Sequence, residues 1–352
     1  KKILQKKKSR MQTKNNTIYK TILTISGLII IFSGLKVADK IIVPFLLSMF
    51  IALISFPLLK FFQSKKINTP ISVSLVLIAI ISISLSIAAL IGTSLNSFRK
   101  SLPTYKEKIS AEIDKLSSVG EKYDIDINSQ LIYEYIDPTF IMQSVANTIS
   151  AFGNVLTNYF LILFIVMFTL LEAAGFSRKL RLAFESSETS IKNFHSFSEN
   201  MNKYLSIKTI VSMITGFLIY ISLTFIGLDH AIMWGLIAFF LNYIPNIGSI
   251  IASIPAIIIA LIQFNFYYAL LVALIYLIIN IVMGSLIEPK YLGKELGLST
   301  LIIFLSLIFW GWLLGPVGML LSVPLTMILK IWLENNNDTK WIAILLSRNI
   351  NN

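Results

Sequence analysis

Cysteine is absent from this chain, and histidine occurs only as His195 and His230. Disulfides, thiolate nucleophiles and cysteine-based metal centres are thereby excluded, and two histidines far apart in sequence are a poor start to a metal site. Charge is also sparse. Asp, Glu, Lys and Arg make up 14% of the 352 residues, whereas 55% are hydrophobic and the mean hydropathy is +0.77. An ordinary soluble domain carries about 25% charged residues. The sequence holds no GxxxxGK[ST] phosphate loop, no HExxH pair and no GxSxG elbow, so neither ATP-driven work by this chain alone nor enzymatic catalysis is expected. No cofactor or metal is expected. An arginine ladder of the voltage-sensing kind is missing as well.

What is present is apolar sequence in long runs. Several reach the ~20 residues that cross a hydrocarbon core of ~30 Å. The reading is an all-α, polytopic helical membrane protein with about eight hydrophobic segments. The net charge of +12 would suggest nucleic acid in a soluble chain. Here the basic residues stand beside apolar runs and act as orientation signals, so no nucleic-acid partner is expected. Residues 1–20 carry basic side chains and no acid, which places them in the cytoplasm. Lys60, Lys65 and Lys66 mark a second cytoplasmic loop. No small-residue cleavage site follows Gly34, where Lys36, Asp39 and Lys40 stand, so the first span is expected to be uncleaved.

The divisions follow from these runs. Residues 1–92 hold the cytoplasmic N-terminus and spans one to three, the third ending at Gly92. Residues 93–150 form a polar external stretch of amphipathic helices, with acidic residues in slight excess. Residues 151–205 hold span four and a cytoplasmic amphipathic helix. Residues 206–333 form a transport unit, and residues 334–352 a cytoplasmic tail. Both termini are thus expected in the cytoplasm.

Residues 242–255 read NYIPNIGSIIASIP and interrupt a run otherwise apolar enough for lipid. Pro245 lacks an amide proton and ends a helix near Ile244. Asn246 and Gly248 tolerate irregular or left-handed backbone, and Ser249 suits an N-cap from which helix restarts. Gly315, Pro316 and Gly318 interrupt a second apolar run in the same way. Pro245, Gly248 and Pro255 are spaced much like Pro316, Gly318 and Pro324, which reads as an internal repeat. A straight helix over residues 231–262 would be ~48 Å long, too long for the membrane, and each half alone is too short to cross it. Re-entrant hairpins fit; strongly tilted, kinked spans are the other reading. The repeats have opposite orientation, the architecture of many secondary transporters.

Polar groups at membrane depth mark the candidate pathway. Asn242, Asn246, Ser249 and Ser253 surround the first break, and Asn280 lies in the following span. With freed carbonyls they suit a polar neutral solute or a monovalent cation; alternatively each serves an interhelical hydrogen bond. Glu288 ends an apolar run and is either an interface anchor paired with Lys290 or a direct participant in coupling.

Three motifs carry a resemblance: NYIPNIGSIIASIPAIIIAL, IEPKYLGKELGLS and WGWLLGPVGMLLSVPLT, in that order. With them the sequence resembles the autoinducer-2 exporter (AI-2E) family of bacterial inner-membrane permeases. The resemblance implies a multi-pass protein of the bacterial cytoplasmic membrane, homo-oligomeric, with a pentamer as one form. It also implies export of an autoinducer-2-like signal or, for some members, sodium or lithium/proton antiport. Three functions therefore stand: a secondary transporter exporting a small polar solute by alternating access, a cation/proton antiporter, or a non-transporting oligomeric membrane scaffold. The expected partners are a small polar solute or monovalent cation, membrane lipid and further copies of the chain.

Overall fold

The computed structural model describes residues 22–24, 26–27, 29–122, 159–183, 188–245, 247–292, 297–334 and 339–347. Among these residues the chain is helical, with a single isolated β-bridge between Leu298 and Ser347. In chain order the helices are α1 (Ile22–Val37), α2 (Asp39–Ser64), α3 (Thr69–Lys122), α4 (Tyr159–Ala183), α5 (Glu188–Ile226), α6 (Ala231–Leu241), α7 (Gly248–Gln263) and α8 (Phe266–Asn280). A π-helical turn (Ile281–Ile287) and a last α-turn (Glu288–Leu292) extend α8; α9 (Thr300–Leu320), α10 (Ser322–Glu334) and α11 (Lys340–Leu346) follow. Five stretches among the described residues are long and apolar enough to cross a membrane, and Phe160 and Phe225 present 83% and 88% of their surface to the outside. Lys208, Ser212, Asn242 and Ser322 are instead buried. An apolar exterior around polar interior groups is the arrangement of a helical membrane protein.

Two helices run continuously across the expected divisions. The third helix does not end at Gly92 but runs on to Lys122. One glycine inside a helix costs only about 1 kcal/mol relative to alanine. Phe98 and Tyr105, both fully buried, anchor the extension against the start of α6. Likewise the amphipathic helix and the fifth span form one helix, α5. Asn68 caps α3, its Oδ1 accepting from Ile71 N at 3.2 Å, with Pro70 in the first turn where a missing N–H is harmless. Residues 123–158 lie outside the described residues.

Both broken helices fold into antiparallel hairpins. In the first, α6 and α7 meet at their open ends. Gln263 at the end of α7 accepts from Asp229 N at 2.8 Å and donates to Gly227 O at 3.0 Å, just before α6 begins. In the second, α9 pairs with α10: Trp310 Nε1 donates to Thr326 Oγ1 at 3.0 Å, and Lys330 Nζ to Gly297 O at 2.9 Å. The bases of the hairpins lie at opposite ends of the 26-residue helical run Phe266–Tyr291 that connects them, ~39 Å at 1.5 Å per residue. Helix α5 with α6–α7, and α8 with α9–α10, repeat one order of elements, a long helix followed by a hairpin, and form two halves.

The turns differ in how they reverse. The first follows α6 and closes through local bonds, Ile244 N to Leu241 O at 2.9 Å and Gly248 N to Ile244 O at 3.3 Å. Gly248 needs no left-handed conformation. It is a glycine because a Cβ there would overlap the Leu241 carbonyl oxygen. Helix restarts at Gly248 itself, so Ser249 does not cap it. The second turn pivots on Gly315, at φ 65° and ψ −151°, a region open essentially to glycine alone. Pro316 follows with its φ already helical. Gly318 then repeats the role of Gly248, because a Cβ there would overlap the Trp310 carbonyl oxygen. Gly311, one member of a GxxxG pair with Gly315, packs against Met319 inside this hairpin.

Three apolar clusters hold the assembly. One joins α2, α3 and α4 around Leu59, Val76 and Val166. A second joins the first hairpin to α3, α5 and α8 around Trp234, Leu223 and Ile259. The third joins Tyr243 at the first turn and Leu321, Val323 and Met327 of the second hairpin to Phe50 of α2 and Tyr204 of α5. The first arm lies close on α5 because Gly216 and Gly235 face each other; a Cβ on Gly216 would stand 2.6 Å from Gly235 O. Gly315→Ala should destabilise the protein by ~1–3 kcal/mol through its backbone alone. Gly248→Ala should destabilise it more, because the Leu241 peptide must move. Thermal unfolding in detergent reads both, and a Gly248→Ala protein as stable as the parent would contradict the packed hairpin.

Candidate functional site

The buried face of α5 sets the site. Met201, Tyr204, Leu205, Lys208, Ser212 and Thr215 recur at three- and four-residue spacing, and all are buried. A helix turned inward in this way carries its polar side chains into the molecule. Each then needs a partner supplied by a neighbouring element. The first turn supplies two. Asn242 Nδ2 donates to Ser212 Oγ at 2.9 Å, and the Tyr243 hydroxyl donates to Thr209 Oγ1 at 2.8 Å. Thr209 in turn donates to Leu205 O at 2.7 Å. The turn where α6 breaks is therefore fixed to the middle of α5 by neutral donors and acceptors.

At Lys208, the residue before Thr209, α5 meets the end of α8. Lys208 Nζ lies 2.7 Å and 2.8 Å from the two carboxylate oxygens of Glu288, and the two side chains are only 4% and 16% exposed. Tyr204 lies within electrostatic reach of Glu288. Glu288 is delivered there by the π-helical turn: its N–H donates to Met283 O, five residues back. Such π-turns recur at functional positions in helices. Asn280, at the head of the turn, has its Oδ1 against Gly284, 3.2 Å from where a Cβ would be.

At the far end of the hairpin is a second polar cluster. Tyr105 of α3 donates to Asp229 Oδ2 at 2.7 Å, Lys108 reaches Gln263 O at 3.4 Å, and Trp234 Nε1 donates to Asp229 O at 2.9 Å. Burial and the Asp229 carboxylate push the Tyr105 hydroxyl above its ordinary range, which keeps it a donor. His230 adopts the left-handed conformation, φ 60°, with its ring 5.7 Å from Phe98. Burial pushes its imidazole below the ordinary range, partly opposed by Asp229, so the neutral ring is the form held here. This clasp joins α3 to the base of the first hairpin.

The expected site residues distribute unevenly. Asn242, Pro245, Gly248 and Glu288 surround the junction of α5, the first turn and α8. Gly315, Pro316, Gly318 and Pro324 build the second hairpin, which reaches the same apolar cluster through Leu321 and Val323. Ser253 donates to Ile250 O at 2.8 Å, within its own helix, and Pro255 is buried in α7. Asn246 lies outside the described residues. Glu288 pairs not with Lys290 but with Lys208. Lys290 follows by two residues, about 200° around the helix, and is exposed. Lys208 went unnoticed in the sequence, although a signal existed: it is the one charge between Lys203 and Asp229 in an apolar run, and a lysine so placed marks function by default. Among the described residues no group of three or more His, Cys, Asp or Glu is placed to hold a metal.

Comparison with known proteins identifies the family. The family described as AI-2E family transporter matches residues 25–338. The chain is 40% identical over 328 residues to the AI-2 transport protein TqsA of Escherichia coli K12, covering 93% of this chain and 95% of the relative. It is 39% identical over 338 residues to a putative transport protein of Haemophilus influenzae, covering 94% and 97%. The putative transport protein YhhT of Escherichia coli K12 is 31% identical over 325 residues, covering 92% and 93%.

The ion pair has a testable energetic signature. Lys208→Met strands a buried carboxylate and should destabilise the protein by ~3–5 kcal/mol, whereas an apolar replacement of both partners is often close to neutral. Unfolding of Lys208→Met, Glu288→Leu and the double variant should therefore show the double variant more stable than either single one. Additive losses would mean that the two charges do not interact.

Proposed function

The chain belongs to the AI-2E family of transporters, and from that premise we propose a secondary transporter that exports a small polar solute across the bacterial inner membrane. It works by alternating exposure of the junction between α5, the first turn and α8. The observation that carries this reading is a broken apolar helix whose turn is tied to α5 through Asn242–Ser212 and Tyr243–Thr209. Non-helical backbone within the membrane persists where it is buried in protein or lines a watered cavity. In inverted-repeat transporters the solute site lies where broken helices meet. Rocking one half against the other would expose Asn242, Ser212, Thr209 and Tyr243 to opposite sides in turn. These neutral donors and acceptors suit an uncharged, oxygen-rich solute. The relative named as an AI-2 transport protein makes autoinducer-2 the first solute to test. In this reading the basic N-terminus and the base of the second hairpin face the cytoplasm, and the Tyr105–Asp229 clasp faces outward.

A second reading, cation/proton antiport, draws support from the buried Lys208–Glu288 pair, since charges at such depth accompany ion pathways. Proteoliposomes loaded with autoinducer-2 separate the two. Solute transport should be protein-dependent and fall about 10-fold in Asn242→Ala, the equivalent of one hydrogen bond. Proton movement driven by a sodium gradient with no solute present, and no autoinducer-2 flux, would favour the antiporter instead.

A further inference from the structure

Lys208 and Glu288 belong to different halves of the proposed transporter: Lys208 lies on α5, Glu288 at the end of α8. The halves cannot slide past one another at this end without parting them. A buried carboxylate and a buried ammonium do not separate readily while both are charged, because each would be left uncompensated. Neutralising one of them removes the obstacle. The carboxylate can be neutralised by a single proton from water, without an oxygen cage, whereas a metal cation would require several ligands.

The backbone beneath Glu288 is suited to such a change. The bond from Glu288 N–H to Met283 O spans five residues. In an α-helix the same N–H would reach Gly284 O, four residues back. Converting the π-turn of Ile281–Ile287 into α-helix shifts the register by one residue and swings Glu288 by about 100° around the axis. Gly284 lies within this turn without a side chain; a Cβ there would stand 3.2 Å from Asn280 Oδ1. On α5, which packs against this turn, the titratable and charged groups facing Glu288 are Lys208 and Tyr204; on its own helix Lys290 is exposed.

We propose that Lys208–Glu288 is a proton-operated latch between the two halves of the transporter. A proton from the aqueous phase adds to one carboxylate oxygen of Glu288. Lys208 keeps its own proton and is hydrated by water entering the opened seam. The π-turn relaxes and carries the neutral Glu288 away. Release of the proton re-forms the pair and closes the seam. The latch rests on the transporter reading above, in which the halves move, and names the ion that gates that movement.

The cysteine-free sequence provides the reporter. Ser322, at the start of α10, is 0% exposed, and its Oγ has no hydrogen-bond partner, so Ser322→Cys removes no bond. Its neighbours Leu321 and Val323 pack in the same cluster as Tyr204. In proteoliposomes at pH 7.5, N-ethylmaleimide should label Ser322→Cys slowly and react at least about 10-fold faster when Glu288→Gln is added, a shift of one decade in the open population. Lowering the pH to 6 should speed labelling relative to an exposed Lys340→Cys control, and this acceleration should vanish in Glu288→Gln. Should Glu288→Gln fail to fold, the reversed pair Lys208→Glu with Glu288→Lys restores the attraction and should fold and label slowly. Equal rates with Glu and Gln, a pH response that persists in Glu288→Gln, a reversed pair that labels fast, or acceleration by sodium at constant pH would each overturn the latch. The reporter needs no solute. A latch that operates without autoinducer-2 flux would therefore refute the transported solute and leave the latch standing.

Discussion

Everything in this structure depends on where peptide groups go when a helix breaks in apolar surroundings. Lipid offers them no partners, so a break must be closed locally or faced by protein. The first turn does both. Its amides return to Leu241 and Ile244 within a few residues, and its side chains reach Ser212 and Thr209 on α5. Gly248 and Gly318 make this closure possible because they let one arm of each hairpin lie against a carbonyl of the other. From that closeness follow short arms, a turn held deep in the molecule and polar groups gathered beside it. The same α5 face then has room for a charge, and Lys208 occupies it.

Much of this was legible in the sequence. Proline and glycine punctuation located both breaks, and the similar spacing of Pro245, Gly248 and Pro255 to Pro316, Gly318 and Pro324 is what reads as a repeat. Apolar run lengths gave the spans. What escaped was of two kinds. Glycine was read as conformational freedom at Gly248, whereas the structure uses its small size; of the glycines at the two breaks, Gly315 is the one that uses its freedom. A sequence does not separate these uses, because both leave the same letter. The second kind was pairing across long distance. Glu288 was marked as unusual, but its partner lies 80 residues away, and local spacing favoured Lys290. The continuation of α3 past Gly92 was hidden for a similar reason, since Phe98 and Tyr105 stabilise it by contact with a distant hairpin.

The two ends of the first hairpin are held by different chemistry. At its base, Tyr105, Asp229 and Gln263 form hydrogen bonds that tie it to α3. At its turn, neutral hydrogen bonds tie it to α5, close to a charged pair that bridges α5 and α8. A carrier needs such contrast, with one attachment that persists and another that can be exchanged. In the proposed transport cycle, the apolar exterior, exemplified by Phe160 and Phe225, would allow sliding in lipid without new polar exposure.

The central claim is that both broken helices return to the side from which they enter, and that the two sides are opposite. Single cysteines flanking each hairpin test it most directly in a cysteine-free chain. Asp229→Cys and Asn265→Cys bracket the first hairpin; Lys290→Cys and Lys340→Cys bracket the second. With an impermeant maleimide applied to sealed vesicles of known orientation, the first two should label from one side and the last two from the other. Labelling of Asp229→Cys and Asn265→Cys from opposite sides would make α6–α7 a crossing span and contradict the account.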